Sequence, residues 1–276
     1  MNIAFVLTNY NNSDLTRNAV KSILEQSHSS CKIVIVDNAS NDKHKDILVD
    51  LSNEFINVKV IFNSQNSGYF SGLNIGILWL KENFNQFKHV VIGNNDVLFS
   101  SNFIKSIENS ADLFKKYPVI SPDIKTVDGF HQNPHVIKSI SRIREVVYDI
   151  YHYNYYVSKI VLMISRLTKS FSSRGDERQY KYAQEVYQGY GAMYILGPLF
   201  FENFEKLWAP TFLMYEEFFL SKQLSDKGFK IYYEPSIKLT HLMHASTDML
   251  PSRQKWEFSR ASHNMYRKFV STFKPF

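Results

Sequence analysis

From Ile3 onward the chain alternates two patterns of apolar residues. Short runs are apolar at nearly every position, and between them apolar residues recur every three or four positions. The first pattern predicts buried strands and the second predicts helices. The strands are Ile3 to Thr8, Lys32 to Val36, Val58 to Phe62 and His89 to Ile92. Asn11, Asn12 and Ser13 supply turn and N-cap chemistry for a helix carrying Leu15, Ala19, Ile23 and Leu24 on one face. A second helix runs from about Lys43 to Asn53. Gly68 and Gly72 open a third, with Leu73, Ile77, Leu80 and Phe84 along one side. Ser101 or Asn102 caps a fourth, which carries Phe103, Ile107, Ala111 and Phe114.

Strands that are apolar on both faces, alternating with helices, predict an α/β fold with a mostly parallel central sheet flanked by helices. From about Pro134 to Arg178 the pattern changes. This stretch is rich in Tyr, Ile, Val and basic residues, lacks turn punctuation, and predicts one or two amphipathic helices. Mixed structure then returns. Gly191 to Leu196, Ile231 to Glu234 and Ile237 to His241 are expected strands. Tyr215 to Lys227 is a helix ended by Gly228, and Gln254 to Phe273 is a terminal helix.

Composition narrows the class. With 44% hydrophobic and 21% charged residues the chain is globular rather than disordered. The single cysteine, Cys31, excludes a disulfide framework or cysteine-rich zinc site and points to a reducing cytoplasm. The first apolar run has no basic flank or small-residue cleavage site, so it reads as a strand rather than a signal peptide. No apolar run approaches the ~20 residues that span a bilayer. The net charge of +6 is concentrated: Lys138 to Lys181 holds nine Lys/Arg against four Asp/Glu. Such a stretch is either a solvated helix face or a patch for an anionic partner.

Ligands bind parallel α/β sheets at the carboxyl ends of the strands. The polar clusters of this chain fall there: Thr8 to Asn12, Asp37 to Asp42, Asn63 to Gly68, and Asn94 to Asp96. Asp37 suits a nucleobase or ribose, or belongs to an N-cap run with Ser40, Asn41 and Asp42. Asp96 suits a divalent cation bridging to phosphates, or an Asx turn. The Gly-dotted loop Asn66 to Gly76 could set backbone amides near an anion, although it fits neither the dinucleotide fingerprint nor a P-loop. Glu216 and Glu217 follow an apolar-aromatic run. They read as a general base with a raised pKa, or as acids favoured in a first helical turn. His241, with His244 and Ser246 after it, could meet a metal or phosphate, or be structural.

In order and spacing, these segments resemble the family-2 nucleotide-sugar glycosyltransferases of GT-A fold, including rhamnosyltransferase-like enzymes of bacterial surface-polysaccharide assembly. The matching pieces are Phe5 to Asn11, Ile35 to Asp42, Asn66 to Gly76, Asn94 to Val97, Gly191 to Met193, Tyr215 to Glu217 with Leu220, and His241 with Ser246. The resemblance implies an inverting transfer from a UDP- or dTDP-type sugar donor to an acceptor hydroxyl on a saccharide or lipid-linked saccharide. It gives Thr8, Asn9, Tyr10, Asp37, Asn38, Asn66, Gly68, Asn94 and Asn95 to the donor. It gives Asp96 and His241 to a Mn2+ or Mg2+ ion, with Asn94 standing where the family's first motif acid would be. Glu217 falls at the catalytic base, where the family usually has Asp, so the choice between Glu216 and Glu217 stays open.

On this reading residues 1–125 form the nucleotide-sugar-binding half and 126–184 a basic helical insertion. Residues 185–276 form the acceptor-binding half with the base and C-terminal helix. The insertion is expected to lie on the inner face of the cytoplasmic membrane, or to act as a dimer interface or lid; no nucleic-acid partner is expected. The rival readings are a nucleotidyltransferase and a non-catalytic nucleotide-sugar-binding scaffold.

Overall fold

The computed structural model describes residues 3–26, 31–84, 87–168, 175–242 and 252–272. The first half is built as the hydrophobic pattern predicts. Strands β1 (Ile3–Asn9), β2 (Lys32–Asp37), β3 (Val58–Phe62) and β4 (His89–Asn94) are linked by helices α1 (Ser13–Leu24), α2 (Asp42–Glu54) and α3 (Tyr69–Asn83). The strands pair in parallel, in the order β3-β2-β1-β4. Successive strand side chains point to opposite faces, so β1 and β2 feed two layers at once. Ile3, Phe5, Leu7, Ile33 and Ile35 pack with Ala19, Val20 and Ile23 of α1 and Leu48 and Leu51 of α2. Ala4, Val6, Val34 and Val36 pack with Phe70, Leu73, Ile77 and Leu80 of α3.

Beyond β4 the sheet continues with β5 (Val97–Phe99), β6 (Val119–Thr126), β7 (Gln184–Val186), β8 (Met193–Leu196) and β9 (Ile231–His241). The full order is β3-β2-β1-β4-β8-β6-β9-β5, with β7 also on β9. Here antiparallel pairs enter: β8 with β4 and β6, and β9 with β5 and β7. β6 and β9 remain parallel. Hydrophobic periodicity missed β5 and β7 because each has three residues, and β6 because Ser121, Pro122 and Asp123 read as a turn. The two strands expected between Ile231 and His241 are one strand. Its register on β6 jumps from Glu234 opposite Pro122 to Lys238 opposite Asp123, so residues 235–237 bulge.

The helix expected from Phe103 to Phe114 divides into α4 (Phe103–Asn109) and a 3-10 turn, Ala111–Lys115, with Ala111 exposed. The amphipathic middle forms two helices, α5 (Arg142–Tyr153) and α6 (Tyr155–Thr168), packed on each other. The second half adds α7 (Pro198–Asn203), α8 (Glu216–Ser225) and α9 (Ser252–Tyr266). α9 stops at Tyr266, short of the expected end; Phe273 lies outside the described residues, as do His244 and Ser246. Among the described residues no helix is long and apolar enough to cross a membrane.

Candidate active site

Register brings the polar strand ends together. Asn9 of β1 lies beside Asp37 of β2, and Thr8 lies beside Asn94 of β4. Asn9 Nδ2 donates to Asp37 Oδ1 at 2.7 Å, and Ser40 Oγ donates to the same oxygen at 2.5 Å. The Ser40 amide donates to Asp37 Oδ2 at 3.0 Å. Asp37 is fully buried under these contacts. Asn9 Oδ1 accepts from Thr16 Oγ1 and Asn95 Nδ2, and Asn95 Nδ2 also reaches Asn12 Oδ1 at 2.7 Å. These bonds tie the ends of β1, β2 and β4 to the start of α1.

Asn38 makes the next link. Its Nδ2 donates to the Gly68 carbonyl at 3.1 Å, and its Oδ1 accepts from Asn63 Nδ2 at 2.8 Å. Gly68 has φ +89°, and a Cβ there would stand 2.2 Å from the Phe212 carbonyl oxygen. Glycine is therefore required where the loop entering α3 meets the second half. The Tyr69 amide donates to that same carbonyl at 3.0 Å. The Tyr69 hydroxyl donates to the Gly191 carbonyl at 2.7 Å.

The start of α8 is held in an uncommon backbone. Met214 (φ 73°) and Tyr215 (φ 67°) are consecutive left-handed residues with side chains. Each such residue costs on the order of 1–3 kcal/mol and persists where packing enforces it. The packing is visible. The Met214 carbonyl accepts from Thr211 Oγ1, and Tyr215 Oη is 2.8 Å from His263 Nδ1. His263 Nε2 meets Asp149 Oδ1 at 2.9 Å. Arg267 pairs with both Asp149 and Glu145, at 2.6 and 2.7 Å. A chain of contacts thus runs from α5 through α9 to the residue preceding Glu216.

The two acids that follow differ. Glu216 is buried, and its Oε1 has no hydrogen-bond partner among the described residues. Burial first, and the Glu217 charge second, push its carboxyl up to about 8. Glu217 is only partly buried, and its Oε1 accepts from the Gly191 amide at 3.1 Å. A Cβ on Gly191 would lie 2.7 Å from that oxygen, so glycine there lets the carboxylate reach the main chain.

Asp96 sits between β4 and β5, with β9 alongside. The β5/β9 pairing sets Val97 opposite His241. His241 Nε2 is 3.1 Å from Asp96 Oδ1, and both side chains are buried. His241 Nδ1 is 2.9 Å from Gln132 Oε1. A carboxylate and an imidazole are both ligand types for a divalent ion, and two adjacent ligands on a six-coordinate ion at ~2.1 Å stand ~3 Å apart, as these two do when they bond directly to each other. Among the described residues no group of three or more His, Cys, Asp and Glu is arranged around one ion. Asp96 and His241 alone would be a partial ligand set, one that substrate phosphates would have to complete.

All these elements open on one cavity of about 450 Å³. Thr8, Asn9, Tyr10, Asn38, Asn66, Gly68, Asn94, Asn95 and Asp96 line it from the first half of the chain, and Glu216 and Glu217 from the second. Asp37 and His241 are not among its lining residues: Asp37 lies beneath Asn9, and His241 behind Asp96. The structure adds Tyr69, Tyr190, Gly191, Phe212, Gln254 and Phe258 to the wall. Tyr69 is the junction. Burial first, then the charges of Glu216, Glu217 and Asp96, raise its hydroxyl well above its ordinary value. Its place right after Gly68 was the one sequence signal for it.

The profile of Glycosyl transferase family 2 matches residues 4–175, more than half of the sequence. The chain belongs to glycosyltransferase family 2. The match contains the strand ends and Asp96; Glu216, Glu217 and His241 lie beyond it. The family member is 35% identical over 77 residues to an uncharacterized glycosyltransferase of Nostoc sp.. That match covers 28% of this chain and 24% of the relative, so it spans about a quarter of that protein. Solved structures share the fold at 13% identity. They include a mannosyltransferase from Pyrobaculum calidifontis in complex with GDP-Man and Mn2+ (TM-score 0.56, 96% of this chain and 64% of that one). They also include S. aureus TarS 1-349 with UDP-GlcNAc (TM-score 0.57, 99% and 74%) and GalNAc-T7 with UDP, GalNAc and Mn2+ (TM-score 0.57, 88% and 44%). This family member thus has the GT-A fold expected from its sequence.

Proposed function

We propose that the chain transfers a sugar, with inversion, from a nucleoside-diphosphate donor to an acceptor hydroxyl. The observation that carries this reading is that Asp96 and Glu217, from opposite halves of the chain, share one cavity. Its volume suits a small-molecule ligand of that class. Thr8, Tyr10 and Asn38 stand at the nucleotide end. With Asp37 committed to Asn9 and Ser40, recognition of a uridine- or thymidine-type base falls to those three, and Asp37 fixes the floor under them. Asn66, Gly68, Asn94 and Asn95 flank the donor.

Asp96 and His241 would hold the divalent ion, and the nitrogen ligand favours Mn2+ over Mg2+. When bound, the ion supplies Lewis-acid stabilisation of the departing diphosphate. Glu217 is the base. The Gly191 amide favours its ionised form and fixes its direction. Glu216 stays protonated near neutral pH, which spares Glu217 a second adjacent charge. Glu217 accepts the acceptor's proton as that oxygen attacks the anomeric carbon. The bond to the diphosphate breaks, and the nucleoside diphosphate leaves with the electron pair. The acceptor enters beside Phe212, Gln254 and Phe258, on the side of α9. A saccharide or lipid-linked saccharide of surface-polysaccharide assembly suits this wall.

A thermal-shift screen of nucleoside diphosphates with Mn2+ identifies the donor, since a ligand that binds the folded chain raises its melting temperature. Product analysis with the matching sugar nucleotide then tests transfer. Release of nucleoside diphosphate with an inverted anomer is expected. Release of pyrophosphate, or binding with no turnover, would overturn the reading.

A further inference from the structure

Among the described residues seventeen large hydrophobic side chains are exposed, and more than half of them fall between Ile143 and Ile164. They are not scattered. On α5, Ile143, Val146, Ile150 and Tyr153 recur every three or four residues. On α6, Tyr156, Ile160 and Met163 do the same. Two packed helices therefore each turn an apolar stripe to solvent, where a soluble surface rarely gathers a contiguous apolar patch. The buried sides of both helices are already used. Of the acids of α5, Glu145 is buried against Arg267, and Asp149, its side chain 39% exposed, is neutralised by the same Arg267. The basic residues are left outward: Arg142 and Lys159 are exposed, and Lys138 just before α5 is too. Arg253, at the start of α9, is exposed, lies 5.9 Å from the Tyr155 ring and pairs with the exposed Glu257 at 3.1 Å.

We infer that the α5–α6 hairpin is a docking surface for an anionic lipid membrane. The apolar stripes enter the boundary between headgroups and acyl chains, and the basic residues meet the lipid phosphates. The charge pattern selects this occupant over a second copy of the chain, because two basic faces repel. Placement agrees. The hairpin is fastened to α9 by Tyr155 to Ser252 at 2.9 Å, Trp256 to the Tyr151 carbonyl at 3.0 Å, and His152 to Ser259 at 2.8 Å. Gln254 and Phe258 of the same helix line the cavity. Docking would set the acceptor side of the cavity next to the bilayer.

The test uses the full chain in co-sedimentation with vesicles of phosphatidylcholine, with and without phosphatidylglycerol. The chain is expected to pellet with the anionic vesicles and to be released by high salt. The double substitution Ile150→Asp with Ile160→Asp should weaken partitioning by at least about tenfold. Both sites are exposed, so the melting temperature should hold. Ile56→Asp, at a distant site that is 91% exposed, should partition as the parent does. Equal pelleting by parent and double variant, or no pelleting by the parent, would overturn the inference. So would a parent dimer, measured by light scattering, that the double variant dissociates without any vesicle binding. Neither donor nor acceptor is present, so this outcome stands apart from that of the transfer assay.

Discussion

The two sides of the cavity differ in how they treat their polar groups. On the side of β1, β2 and β4, buried Asn9, Asn12, Asp37, Ser40 and Asn95 bond to one another. On the side of α8, Glu216 is buried with one oxygen unpartnered among the described residues, and the two residues before it are held at positive φ. The first arrangement is a satisfied network, rigid because each loss would strand a partner. The second stores unfavourable energy, and such sites are where chemistry concentrates. The contrast teaches that the strand side is a preformed floor, while the α8 side holds a strained, desolvated acid pair of the kind the proposed proton transfer would use.

The strongest way to break this comparison is a pair of substitutions. Glu217→Gln should lower kcat by about 10³-fold with no loss of melting temperature. Asp37→Ala should do the reverse. It strands Asn9 and Ser40, costs about 2–4 kcal/mol of stability, and leaves kcat of the folded protein within about fivefold. A fully stable Asp37→Ala protein without turnover would return Asp37 to direct substrate contact. Next in size is the link from the hairpin to α8. His263→Ala should lower kcat about tenfold with KM little changed, because the left-handed Tyr215 loses its partner. Steady-state kinetics at matched folded fraction would show this, and unchanged kcat would reduce the link to a structural role.

The pH dependence of stability sharpens the comparison further, because Glu216 beside the cavity and His89, at the opposite end of β4 from it, are buried ionisable groups of opposite sense. The Glu216 carboxyl is raised from 4.5 to about 8. Its contribution is whole below pH 4.5 and is lost as pH rises to about 8. Glu216→Gln should therefore flatten the fall in melting temperature across that window. His89 opens β4 with both ring nitrogens unpartnered among the described residues. Burial first, then the Lys88 charge, lower it from 6.5 to about 4. Its contribution is present above pH 6.5 and is lost as pH falls through 4. His89→Leu should remove that acid-side slope, the smallest of these effects. Thermal melts from pH 4 to 9 check both.

Much of this was legible in the chain. Runs such as Ile33 to Val36 need burial on both faces, and that local requirement alone commits the first half to a parallel sheet. The polar strand ends then mark where ligands gather. The pleat even carries a signal for Asp37, which shares a face with Ile33 and Ile35 and so turns toward α1 and α2 rather than α3. The antiparallel half was less legible. β5 and β7 are too short to show a period, and they exist because β9 offers them a partner.

By itself, then, the sequence determined the parallel half, the amphipathic character of the middle helices, and which strand ends are polar. These depend on neighbours a few residues apart. Only the tertiary structure decided that His241 stands against Asp96, that the Gly191 amide holds Glu217, and that Glu216 is buried with one carboxyl oxygen unpartnered among the described residues. Pairing and desolvation arise when distant segments pack, and no local pattern of residue types encodes how much water that packing removes.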